Sequence, residues 1–173
     1  YTSKTAAIKY TTYSCNVKGG GITGEARIVK QGDGIINLPK ADFTHTGETT
    51  IWAGVLNFDG TMRQSDLRLS RFAELNSSGE FKSLRAEYAS IIRPGGESAI
   101  GTILLAEGLD LGFGSRVIID IDATSTNDCI KAKTISIECK TGTAWTKYGP
   151  EYVQPVIELR GKNIQAGDYD IME

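Results

Sequence analysis

Ser115-Arg-Val-Ile-Ile-Asp-Ile-Asp122 and Lys133-Thr-Ile-Ser-Ile-Glu-Cys-Lys140 decide the fold class of this chain. In the first stretch Val117, Ile119 and Ile121 face one way, and Arg116, Asp120 and Asp122 the other. In the second, Ile135, Ile137 and Cys139 alternate with Thr134, Ser136 and Glu138. A period of two carried by β-branched residues is the pattern of strands with one face on a core and one in water.

Outward from there the same pattern recurs. Glu25–Lys30, Ile35–Leu38, Thr50–Phe58, Ala99–Ala106 and Glu151–Arg160 all read as strands. Gly19-Gly-Gly21, Gln31-Gly-Asp-Gly34, Asp59-Gly60 and Arg93-Pro-Gly-Gly96 separate them with turn chemistry. Leu67–Leu75 and Glu80–Tyr88 flank Asn76-Ser-Ser-Gly79 as the arms of a hairpin would. Phe81, Leu84, Tyr88 and Ile91 in the same region also fit a helical stripe. Pro155 removes a ladder donor and places its strand at a sheet edge. No internal repeat stands out. About eight to ten short strands between turns predict an all-β, antiparallel β-sandwich of jelly-roll or immunoglobulin- or pilin-like type, with a closed barrel as the alternative.

The length, 173 residues, fits one domain. The expected division is an extended N-terminal strand or arm over 1–17 and a single sandwich over 18–173. A net charge of −2 gives no nucleic-acid footprint. No apolar run approaches the roughly 20 residues that span a bilayer as a helix. The chain begins at Tyr1. A removed secretion signal would leave such a start, as would excision from a longer chain. With abundant glycine and threonine, the expectation is a secreted, extracellular or cell-surface protein.

Cys129 and Cys139 lie ten residues apart with no Gly or Pro between them. Extended, that interval spans about 33 Å, against the roughly 7 Å a disulfide tolerates. Cys15 is therefore expected to pair with Cys129 or with Cys139; three reduced thiols are the alternative. The absence of C-x-x-C, with His45 the only histidine, argues against zinc. His45 and nearby Asp42 lie in a polar loop without a G-x-S-x-G motif, so a solvated histidine and no enzyme are expected. Asp120, Asp122 and Asp128 offer hard oxygens at a spacing that could hold Ca²⁺, with a solvated strand face as the plain reading. Asp168 and Asp170 are a second such pair. No other cofactor is implied. Asn76-Ser77-Ser78 is a glycosylation sequon at the expected hairpin tip. Trp145 and Tyr148 could stack on sugars in a binding module.

The N-terminal stretch Thr2–Val17 is extended, with Ala6, Ile8 and Tyr10 on one face and Tyr13, Cys15 and Val17 on the other. It reads either as an arm with a short first strand or as a strand that completes a neighbour's sheet. With this strand, the strand count and the terminal Ala166-Gly-Asp-Tyr-Asp170 turn, the chain resembles the β-sandwich subunits of secreted pili and fibres. That resemblance implies a homopolymer built by donor-strand complementation, with Thr5, Ala6, Ile8, Tyr10 and Thr12 entering the next subunit. The expected function is thus a structural subunit of an extracellular filament, pilus or tube. A glycan-binding adhesin and a viral or phage structural protein are the alternatives.

Overall fold

The computed structural model describes residues 5–9, 15–97, 99–122, 126–138, 144–146, 149–151, 154–161 and 172; side chains are described in 17–97, 99–122, 126–138, 154–161 and 172. Among these residues the chain winds as a parallel β-solenoid whose strands alternate between two sheets, here A and B. The first rung holds β1 (Thr5–Lys9, sheet A) and β2 (Cys15–Asn16, sheet B). The second holds β3 (Thr23–Gly24), β4 (Arg27–Gln31, A) and β5 (Ile35–Asn37, B). The third holds β6 (Thr44–His45), β7 (Thr49–Ile51, A) and β8 (Val55–Asn57, B). The fourth is β9 (Thr61–Leu69, A) and β10 (Glu74–Ser77, B). The fifth is β11 (Glu80–Ala86, A) and β12 (Ile91–Pro94, B). The sixth holds β13 (Thr102–Leu105) and β14 (Gly108–Leu111) in A and β15 (Arg116–Ile121) in B. The seventh holds β16 (Cys129–Lys131) and β17 (Thr134–Ile137) in A. After an antiparallel ribbon of β18 (Ala144–Thr146) and β19 (Gly149–Glu151), it returns to B as β20 (Val156–Gly161).

The antiparallel sandwich is therefore wrong, and the reason is the pairing. The described strands of sheets A and B are bonded in parallel to strands one turn away, never to the next strand in sequence within the same turn. Leu67, Leu84, Leu109 and Ile135 occupy one position in successive rungs, an advance of 17 to 26 residues per turn. That uneven advance hides the repeat from a fixed-period search. The supposed hairpin at Asn76–Gly79 spans the end of β10 and the corner into β11, and β11 pairs in parallel with β9, not back on β10. The N-terminal strand is no donor: β1 bonds β4 of its own chain, with Ala6 opposite Ile28 and Ile8 opposite Lys30. Thr5 falls in the same strand, while Tyr10 and Thr12 lie outside the described residues.

The core is a column between the sheets. In sheet B, Cys15, Ile36, Leu56, Leu75, Ile92, Val117 and Ile157 stand in one register row. Ile36 through Val117 in that row are buried. In sheet A, Ile51, Leu69, Ala86 and Leu111 form a buried row, as do Leu67, Leu84 and Leu109. Rings of Phe43, Phe58 and Phe81 pack in sequence along a further side, with centroids 5.2 Å and 5.8 Å apart. Burying rows of this kind at about 25 cal/mol per Å² is the main stabilising term.

The corners from sheet A to sheet B reuse one backbone device. Gly54, Phe72, Ala89 and Gly114 sit there in successive rungs with φ of 71°, 60°, 55° and 68°. Left-handed backbone suits glycine and costs a side-chain-bearing residue about 1–2 kcal/mol. Space also matters: a Cβ on Gly54 would lie 2.4 Å from Gly34 O and 2.5 Å from Lys30 Nζ. Lys30 is itself buried and donates to Gly32 O at 2.7 Å and Ala53 O at 2.5 Å, fastening two adjacent corners. Burial pushes its pKa down, against the opposing pull of Asp33.

Candidate functional site

The register rows that are buried through the middle of the solenoid run out at its last rung. Ile135 and Ile137 of β17 continue the rows of Leu109 and Leu111. Ile157 and Leu159 of β20 continue those of Val117 and Ile119. Each of the four earlier residues is buried. Their successors are 38%, 48%, 38% and 53% exposed. Solenoids ordinarily close such an end with a polar capping repeat. Here β17 and β20 instead offer an apolar floor and, among the described residues, are the last strands on their branches of the two sheets, with no described strand beyond them. β16 beside them is partly covered, because Met172 bridges Ile130 and packs on the core. Pro155, read as an edge marker, directly precedes β20 at this edge.

At the opposite end β1 and β2 open sheets A and B with the same strand polarity. A second copy placed there would continue both ladders without reversing either. Between the ends, cross-rung ion pairs line the outer faces. Arg27 meets Glu48 at 3.0 Å, Lys82 meets Asp66 at 2.9 Å, and Arg116 meets Glu158 across the last two rungs. Asn57 donates to Asn37 at 2.6 Å and Asn76 donates to Asn57 at 3.0 Å, an amide ladder on sheet B.

The residues singled out from sequence do not gather at one place. Among the described residues no group of three or more His, Cys, Asp or Glu could hold a metal ion. Asp128 is buried, and its two oxygens accept the backbone N–H groups of Gly101 and Asp120, both at 2.8 Å. Asp120 is half-buried in β15, and Asp122, just past its end, is exposed. The Ca²⁺ grouping is thus split by burial, one carboxylate acting as an internal clamp. Desolvation pushes that Asp128 carboxyl up to about 6, against its two backbone hydrogen bonds. Asp168 and Asp170 lie outside the described residues.

Cys15 and Cys129 stand in the first and seventh rungs. Six rung spacings of about 4.8 Å keep them far beyond disulfide reach. That expected pairing is corrected; Cys139 lies outside the described residues. Asn76 belongs to the amide ladder, with its Nδ2 committed to Asn57, and not to a hairpin tip. Trp145 is on β18, its side chain undescribed, and Tyr148 lies outside the described residues. His45 is buried, not solvated: its Nε2 lies 2.8 Å from Thr49 Oγ1, which lies 3.0 Å from Ser65 Oγ. Desolvation lowers its pKa and keeps it neutral. Ser65 donates onward to Gly47 O at 2.8 Å, so this chain of hydroxyls braces adjacent rungs inside the core.

Comparison with protein-family models, curated proteins and solved structures finds no match to the chain. No helix among the described residues is long and apolar enough to cross a membrane. The apolar end is not legible in the sequence, because Ile135, Ile137, Ile157 and Leu159 look like any half-buried strand. What distinguishes them is their place in the last rung, which only the pairing supplies.

Proposed function

We propose that this protein is a structural subunit that self-associates end to end, the β17/β20 rung of one copy seating on the β1/β2 rung of the next. The observation that carries the reading is the exposure of Ile135, Ile137, Ile157 and Leu159 directly above buried members of the same rows. Aliphatic side chains left in water at one end are stabilised by covering them, at about 25 cal/mol per Å² removed from water. The parallel ladders at both ends support the same geometry. Head-to-tail contact between unlike surfaces does not close on itself unless the rotation permits, so it propagates as a filament. Donor-strand exchange has no part in it, because β1 is already a rung of its own sheet.

Sedimentation velocity and negative-stain electron microscopy across a concentration series test the proposal. The expected result is growth into linear rods, abolished by Ile137→Lys and Leu159→Lys while the β-sheet circular dichroism is unchanged. A wild-type chain that stays monomeric at every concentration would overturn it. So would rods that form equally well from the lysine variants.

A further inference from the structure

The corner from sheet A to sheet B carries a second unexplained surface, on the side of the solenoid and distinct from its ends. Trp52 in the third rung is 56% exposed and Phe72 in the fourth is 70% exposed. Tyr88 in the fifth rung stacks on Phe113 in the sixth, with centroids 6.1 Å apart and an interplanar angle of 21°. Phe72 meets Tyr88 edge to face at 6.1 Å and 83°. The Arg71 guanidinium lies 5.9 Å from the Tyr88 centroid. Phe72, Tyr88 and Phe113 give one contacting ring in each of three rungs, roughly 10 Å along the axis, and Trp52 is exposed near the same corner one rung earlier. Phe72 is doubly costly there, as an exposed apolar ring on left-handed backbone with φ of 60°. Gly54 and Gly114 fill the corresponding corner position in neighbouring rungs without that cost.

Beside the rings lies a cavity of about 290 Å³ bounded by Arg71, Arg85, Glu87, Tyr88, Phe113 and Glu138. A second, of about 230 Å³, adjoins it and shares Arg85 and Glu138 while adding Asp110 and Ser136. Arg71 and Arg85 have no carboxylate partner among the described residues, whereas Glu87 is held by Arg68 at 2.5 Å. Both signs of charge line the strip, so it does not offer the one-sign field that attracts a polyanion such as a nucleic acid. Rings with apolar faces, interleaved with guanidinium donors and carboxylate acceptors, suit a ligand that alternates C–H faces with hydroxyls.

We infer that this corner stripe binds a neutral glycan chain lying along the solenoid axis, with Trp52 and Phe72 stacking on sugar rings. Arg71 and Arg85 donate to hydroxyl oxygens in the adjoining cavities. The strip is several rungs long, so it reads an oligosaccharide and not a single sugar. This inference does not depend on end-to-end assembly, and either can fail without the other.

Isothermal titration against cello-, xylo-, chito-, manno- and laminari-hexaose, with the matching monosaccharides, tests it. The expected result is binding of at least one hexaose and of none of the monosaccharides. Trp52→Ala, Phe72→Gly and Arg71→Ala should each weaken that binding about ten-fold. Phe72→Gly removes the ring while relieving the backbone, so its thermal midpoint should not fall; a loss of binding in this variant reads the ring itself. No binding to any hexaose by the wild-type chain would overturn the inference. Unchanged affinity in the three variants would do the same. A wild-type dimer dissolved by Phe72→Gly would also overturn it, assigning the stripe to contact between copies.

Discussion

Asp128 shows how one buried side chain gives the solenoid a pH dependence. Its carboxyl clamps the N–H of Gly101 and of Asp120 and is pushed up to about 6 by desolvation. Unfolded, it would titrate near 3.9. Between these values the folded chain holds more protons than the unfolded one, so stability falls as pH rises from about 4 through 6. The full effect is about 3 kcal/mol. Urea unfolding of the wild type and Asp128→Asn at pH 4.5 and pH 7 would measure it; the wild type should lose stability over that interval and the variant should lose much less. Backbone strain gives a second prediction at this scale. Ala89→Gly should raise stability by about 1 kcal/mol, since Ala89 has φ of 55°. Gly54→Ala should lower it by more, because the new methyl would meet Gly34 O and Lys30 Nζ. Thermal midpoints of the two variants, moving in opposite directions, check the pair. Neither position is legible in sequence: Ala89 looks ordinary until its φ is known.

At the scale of the element, alternation was legible and partnership was not. Val117, Ile119 and Ile121 do face the core, as their period of two requires. The same period marked Ile135 and Ile137, yet these are exposed, since no described rung lies beyond theirs to cover them. Thr50–Phe58 read as one strand; Trp52–Gly54 instead turns the chain between sheets, separating β7 from β8. The outward amide ladder was hidden because Asn37, Asn57 and Asn76 lie in different turns. Its middle member makes hydrogen bonds to both neighbours. Asn57→Ala should therefore destabilise more than Asn76→Ala, by about 1 kcal/mol per additional bond lost. Chemical denaturation of the two variants side by side would show the ordering.

For the whole molecule, stacking makes stability a sum over neighbouring rungs. A cavity in the middle should cost far more than one at the end. Leu84→Ala, in the fully buried fifth rung, should destabilise by about 2–5 kcal/mol. Ile137→Ala, half exposed in the seventh, should cost about 1 kcal/mol or less in the unassembled chain. Guanidinium unfolding at low protein concentration, where the ends are free, measures both. The sequence by itself determined that this chain is all-β, where most turns fall, which side of each strand is apolar, and that the strand after Pro155 lies at an edge. Those properties depend on residues adjacent in the chain. Tertiary structure alone decided that strands pair in parallel with partners a full turn away, that β1 belongs to its own sheet, and that four aliphatic residues end uncovered. Backbone ladders carry no side-chain code for their partner, and a turn that varies from 17 to 40 residues leaves no fixed period to read.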